Sequence, residues 1–380
     1  MTGISNLGQA LDQISRLKGQ QVSLDNFATQ IATGKKTQQF SGLGNDVIRS
    51  QRARADLNSI EQYNTNITNG HRRLDLISGA LEQIAAQANT LTGPLTSTQG
   101  GDLPDFETAQ QLATDVLDFI IDLANSKDGE RYLFAGSDSS VKPIDDKGAY
   151  DAFLGGFLPD DTSDYALPTS LNPPAILDSG FIGDWGTGAI TTEEFINSYS
   201  NVNENTLGYS ESLVSGSTGD VRIRVDENSD FDYTTLANTD GIKDLIIAIG
   251  VLKNLPPPGD APGALNDPNA INAGSDIPPF PSSEKQENFF AVMTDISQKI
   301  GAAVDELERD QYRLEIVRAQ TSIIQEQYTY ETNSLQNIIA DVEDIDLTET
   351  VAKIQSLQTG LEASFSVTAL VSDLTLVNFL

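Results

Sequence analysis

The run Asp226-x-Asn228-x-Asp230-x-Asp232 is the metal-like signal in this 380-residue chain. Carboxylate and amide oxygens at alternate positions can wrap a calcium ion. The pattern is incomplete: Phe231 stands where such a loop needs its turn glycine, and Ala237 stands where a bidentate glutamate would close the cage. The run also follows a strand-like stretch in an acidic part of the chain. A solvated acidic hairpin or loop is therefore the better reading, with calcium as the weak alternative.

Other chemistries lack material. The chain has no cysteine, which excludes disulfides, thiolate-ligated zinc and cysteine nucleophiles. Its single histidine, His71, cannot make the two-histidine zinc signature of a metalloprotease. His71 sits in Asn69-Gly70-His71-Arg72-Arg73, where a solvated or packing-edge ring is expected rather than a titrating switch. No phosphate-cradling GxxxxGK[ST] or GxGxxG loop is present. Acidic residues can pair in a glycosidase, but the separation that matters is spatial and is not written in the sequence. Trp185 and the ten tyrosines are the available stacking platforms for a glycan, with local packing the simpler role for Trp185. The expectation is a protein that is not an enzyme and needs no cofactor or metal.

Charge narrows the partners. The chain holds 23 Lys+Arg against 55 Asp+Glu, a net charge of −32. Such a surface repels nucleic acid and anionic membranes. No stretch approaches the roughly 18 apolar residues that a membrane span requires. The N-terminal run MTGISNLGQALDQISRLKG is amphipathic and lacks the apolar core of a secretory leader, so any export is expected to proceed without a cleaved signal.

The elements that would position these residues are mainly helical. Ile4, Leu7, Leu11, Ile14, Leu17, Leu24, Ala28 and Ile31 recur at spacings of mostly three, four and seven, predicting a helix over 4–31 whose pattern drifts near Lys18–Gln21. Ala32-Thr33-Gly34 with Lys35 and Lys36 reads as a break, and 40–46 as a loop. A long helix follows over 47–91, ended by Gly93-Pro94, with a turn over 95–104. A third helix is expected over 105–126, with Phe106, Ala109, Leu112, Ala113, Val116, Phe119, Ile120 and Leu123 inward. Residues 129–137 read as a short strand and turn, 221–225 as a strand, and 241–255 as an apolar helix before Pro256-Pro257-Pro258. From Ser283 one long helical stripe resumes, and a last stripe runs through Leu347, Val351, Ile354, Leu357, Leu361, Phe365, Leu370 and Leu374.

The fold expected is mainly α with a β-containing insert. The long N- and C-terminal helices pair as a coiled coil and helical bundle in an elongated multi-domain rod. Residues 1–45 with 341–380 form a terminal coiled-coil domain, 46–145 with 285–340 a helical bundle, and 146–284 an outward β-containing domain. Charge supports the pairing: residues 1–75 hold nine Lys/Arg and six Asp/Glu, whereas 321–380 hold one lysine and nine Asp/Glu. Opposite-sign helices favour association and help set register.

Gln30-Ile31-Ala32-Thr33-Gly34-Lys35-Lys36, followed by the long second helix, resembles the turn between the first two helices of the flagellin superfamily. Within it, Gly129-Glu130-Arg131-Tyr132-Leu133-Phe134-Ala135-Gly136-Ser137 and the tail Ser372-Asp373-Leu374-Thr375-Leu376-Val377-Asn378-Phe379-Leu380 are similar to the family of hook-associated protein 3, the hook–filament junction subunit. The resemblance covers roughly 1–145 and 285–380. The superfamily's Pro-Ser-Asp-Asp-Pro segment is replaced here by Phe40-Ser41-Gly42-Leu43-Gly44-Asn45-Asp46.

This resemblance implies an extracellular flagellar subunit, exported by the flagellar type III apparatus with an export chaperone. Its partners would be further copies of itself, other hook-associated proteins and flagellin. A filament flagellin is the alternative, and a surface glycan-binding homologue is a more distant one. The apolar stripes are the candidate assembly surface: Ile4, Leu7, Leu11, Ile14, Leu17, Leu24 and Ile31 at one end, with Val351, Ile354, Leu357, Leu361, Phe365, Leu374 and Leu380 at the other.

Overall fold

The N-terminal helical pattern forms α1, Thr2–Thr33. Gly34 ends it by taking a left-handed conformation (φ 71°), which a residue without Cβ adopts at little cost, while its N–H still donates to the Gln30 carbonyl at 2.7 Å. The fold is that of a computed structural model, which describes residues 2–99, 106–144, 185, 192–199, 204, 207–255 and 282–377. The expected loop at 40–46 winds into a 3₁₀ turn, Phe40–Asp46. It leads into α2, Val47–Thr90.

Pro94 does not close the helical region. After Leu91 the chain re-enters helix as α3, Thr92–Gln99, where a turn had been expected. Pro94 lies in the first turn of α3, where a helix has no use for the missing N–H. The third expected helix is α4, Phe106–Ala124. Residues 127–132 make a hairpin of β1, Lys127–Asp128, and β2, Arg131–Tyr132, turning on Gly129 with φ 63°. Short helices α5, Thr192–Ser198, and α6, Glu211–Val214, come next. A second antiparallel hairpin joins β3, Arg222–Arg224, to β4, Asp230–Asp232. Then follow α7, Asp240–Asn254, the 62-residue α8, Ser282–Glu343, and α9, Leu347–Val377. The described chain is thus mostly helical, with two small two-stranded sheets. No helix among the described residues is long and apolar enough to cross a membrane.

Two compact units are present: Met1–Asn64 with Gln325–Leu380, and Thr65–Ile324. The first contains α1 paired with α9 and a small core in which Ala53, Ile60 and Leu335 are buried against Leu57, Tyr328, Ile338 and Ile339. The second holds the larger core. Ile67, Leu74, Ile77, Leu81 and Ile84 come from α2, Val116, Leu117, Ile120 and Ile121 from α4, and Met293, Ile296, Ile300 and Leu307 from α8. Every residue from Leu245 to Leu252 is buried, so α7 is a helix enclosed on all sides rather than an amphipathic surface helix. It packs on α4, whose Gln110 side-chain amide donates to the Lys253 and Leu255 carbonyls at 2.9 and 2.8 Å and so closes the end of α7.

Of the segment 146–284, assigned from sequence to a separate outward domain, residues 207–255 belong to the second unit with the helices. Ile223 of β3 lies against Gly70 of α2, and a Cβ at position 70 would collide with it. A Cβ at Gly241 would likewise come within 2.9 Å of Leu307 Cδ2 and 3.1 Å of the Ala303 carbonyl oxygen. Arg313 of α8 donates to the Thr234 carbonyl at 2.6 Å. Apolar side chains in this segment find the bundle available to cover them, so it need not build a core of its own. Residues 145–184, 186–191 and 256–281 lie outside the described residues.

Gly70→Ala is therefore expected to lower stability by about 1–3 kcal/mol through overpacking against Ile223. Gly79→Ala, on the same helix with nothing near its missing Cβ, should raise stability by up to about 1 kcal/mol through helix propensity. Thermal denaturation of the two variants checks the contrast, and equal shifts would contradict the packing described.

Candidate assembly surfaces

The 3.6-residue repeat divides the apolar residues of α1 between two faces. Leu17, Leu24 and Ile31 fall within one narrow stripe, while Leu11, Ile14 and Val22 fall on another, about 125° away. The first stripe is half-buried where α1 packs on α9. On α9, Leu361 is buried and Ile354 and Leu357 are half-buried, and a Cβ at Gly360 would stand 3.6 Å from Gln20 Nε2. The second stripe is left in solvent: Leu11 is 58% exposed, Ile14 60% and Val22 53%. Phe365 and Val351 of α9 are exposed as well. The single stripe expected from sequence is thus two surfaces, one spent within the chain and one open. The side chains of Ile4, Leu7 and Leu374, and Leu380 altogether, lie outside the described residues.

The charge complementarity expected along the paired helices is concentrated instead at their turns. Along the helices, Arg16 pairs with Asp12 and Lys353 with Glu349, each on its own helix. At the turns, Glu343 gathers the cations. Its side chain, only 9% exposed, accepts from Ser50 Oγ at 2.5 Å and Arg54 Nε at 2.9 Å on Oε1, and from Arg54 Nη2 at 2.6 Å on Oε2. Lys35 Nζ adds a contact at 3.4 Å and donates to Asp344 Oδ1 at 2.6 Å. The bidentate guanidinium of Arg54, opposed by partial desolvation and helped by Ser50 and Lys35, holds the Glu343 carboxyl down to about 2.

Backbone bonds complete the joint. Lys36 N–H donates to the Glu343 carbonyl at 2.7 Å, and Ile345 N–H to the Gly34 carbonyl at 3.0 Å. Lys36 Nζ caps the carbonyls of Asp341 and Val342 at the C-terminal end of α8, where a cation also meets the negative end of the helix dipole. Asp346 then starts α9 by accepting the amides of Thr348 and Glu349 at 2.8 and 3.1 Å. The motif Gln30–Lys36 is thus one half of a polar joint whose other half is Val342–Asp346. Glu343 and Asp344 were not singled out in the sequence, and the signal available was only an acidic cluster at a helix end.

The remaining candidates sit apart. Asp226 and Asn228 fall in the turn between β3 and β4. Asp230 is paired with Arg222 at 3.1 Å, and Asp232 Oδ1 accepts from the N–H and the hydroxyl of Thr234. Those oxygens serve an exposed hairpin rather than converging on a point. No group of three or more potential metal-ligating side chains occurs among the described residues. His71 is half-buried with Nε2 2.7 Å from Thr321 Oγ1; burial, then the charge of Arg318, pushes its pKa below the ordinary histidine value against the pull of Asp75. Trp185 is fully buried, donates to Thr192 Oγ1 at 3.1 Å and stacks on Phe195 with centroids 5.0 Å apart, so it offers no open platform for a sugar.

Glu343→Gln should weaken the first unit by about 2 kcal/mol, less than a fully buried pair, because Arg54 and Lys35 stay partly in solvent. Native-state hydrogen exchange at the Lys36 and Ile345 amides reads the change. Because the folded carboxyl titrates below its unfolded value, its contribution is present above pH 4.5 and lost as pH falls toward 2. Acid should therefore shrink the difference between wild type and Glu343→Gln, and a difference as large at pH 2 as at pH 7 would contradict the joint. His71, as the only histidine, should give one NMR titration with a midpoint below the ordinary value.

No family model matches the chain, and no curated protein matches it. Among solved structures, a candidate flagellar hook-associated protein from Vibrio parahaemolyticus is similar at a TM-score of 0.43 and 11% identity, over 78% of this chain and 97% of that one.

Proposed function

We propose that this chain is a structural subunit of the bacterial flagellum that works by assembly and not by catalysis. The carrying observation is the second apolar face of α1, Leu11, Ile14 and Val22, which the pairing with α9 leaves in solvent. Completing the burial of three such side chains is worth about 1 kcal/mol each, a contribution that a lattice gains again at every subunit. The sequence resemblances of 30–36, 129–137 and 372–380 support the flagellar assignment, and those of 129–137 and 372–380 favour a place at the hook–filament junction. In that role the chain would join a hook-type lattice to a filament-type one, with other flagellar subunits as neighbours and export through the flagellar secretion apparatus.

Sedimentation of the purified chain should show concentration-dependent association. The double variant Leu11→Glu, Ile14→Glu should remain monomeric with unchanged helicity, since neither side chain is buried within the chain. A wild type that stays monomeric at its highest soluble concentration would count against the reading. Immunogold labelling of isolated flagella separates the positions: a single ring supports the junction, and label along the whole length supports a filament subunit.

A further inference from the structure

The outer surface of α4 departs from the pattern expected of it. Phe119, expected inward, is 37% exposed, while Leu117 and Ile121 are buried in its place. Asp115 and Asp122 lie one helical turn from Phe119 and Asp118 further round on the same side, and all three are exposed. Phe106–Ala124 contains no lysine or arginine. The result is an acidic ridge edged by one aromatic side chain on a helix of the second unit.

The first unit carries a groove of the opposite character. It has a volume of about 550 Å³ and a floor of Ala53, Leu335 and Ile338, with Ile48, 57% exposed, at its edge. Arg49 and Arg52 line it, one helical turn apart on α2. Both are exposed, and neither has an ion-pair partner among the described residues, whereas nearby Arg54 is committed to Glu343. Asp56, also in the lining, leaves the groove with an excess of one positive charge.

We propose that the groove of one copy receives the α4 ridge of a second copy, with Phe119 seated on Ile48 and Ile338 and the three aspartates facing Arg49 and Arg52. In a chain of net charge −32, two unpaired arginines beside an apolar floor select an acidic partner with an apolar knob. The chain itself supplies that partner on α4. Spacing matches as well as sign. Arg49 and Arg52 are three residues apart, and Asp115, Asp118 and Asp122 are three and four apart, so both rows repeat at about one helical turn. Ridge and groove are different patches, so the contact is heterologous. Each added copy presents a fresh ridge or groove, and the series either closes into a ring or propagates. This inference rests on the self-assembly reading above and names a contact distinct from the outward face of α1.

The test replaces Phe119 with the photocrosslinker p-benzoylphenylalanine in the full chain, under conditions where the wild type associates. Irradiation should give a covalent dimer in which residue 119 of one copy is joined to the 45–56 segment of another. Arg49→Glu with Arg52→Glu should abolish that adduct and raise the concentration needed for assembly by about tenfold or more. Adding Asp115→Arg with Asp118→Arg to the same chain should restore both, with helicity unchanged throughout. An adduct to another segment or within one chain, normal assembly of the Arg49→Glu, Arg52→Glu variant, or failure of the reversed charges to rescue it would overturn this contact alone. A wild type that never associates would remove the self-assembly reading and this contact with it.

Discussion

The two turns of the first unit depend on one carboxylate. Glu343 ends a helix of 62 residues, and the groups that satisfy it, Arg54, Ser50 and Lys35, all come from the N-terminal side of the chain. A carboxylate so nearly enclosed is tolerated only because each oxygen has at least one charged donor. The neighbouring backbone bonds, Lys36 to Glu343 and Ile345 to Gly34, then fix where α1 leaves off and α9 begins. Charge here acts as a locator: it specifies which two turns meet, while the apolar contact between α1 and α9 extends that choice along the helices.

That arrangement explains what the sequence disclosed and what it withheld. The helices were legible because their periodicity is local, and the break at Gly34 because a left-handed residue after a helix favours glycine. The basic and acidic ends were legible as totals. Their use was not, since Glu343 is one acid among several and its bond to Arg54 spans 289 residues. Glu343 acquires its meaning only when two distant turns meet. The assembly residues show a second limit. A list of apolar positions on α1 does not say which face another helix has already taken.

In the second unit the departures from local pattern have a common origin. Pro94 reads as a stop when its preference is considered without its place in a helical turn, and Phe119 reads as inward on hydrophobicity alone. The aspartates around Phe119 were the better guide, since three carboxylates on one side of a helix cannot share a core. Residues 207–255 looked like an independent module because their composition differs from that of the helices. Their contacts through Gly70 and Gly241 show that composition marks a change of local structure more reliably than it marks a boundary in packing.

The pairing of α1 with α9 also sets a temporal order. Synthesis at about 5–20 residues per second leaves more than 300 residues, and so tens of seconds, between the appearance of α1 and that of its partner. Throughout that interval the first helix has both apolar faces uncovered and no joint at Gly34 to anchor it. The nascent chain is therefore adhesive along α1 until α9 emerges to cover one of its faces.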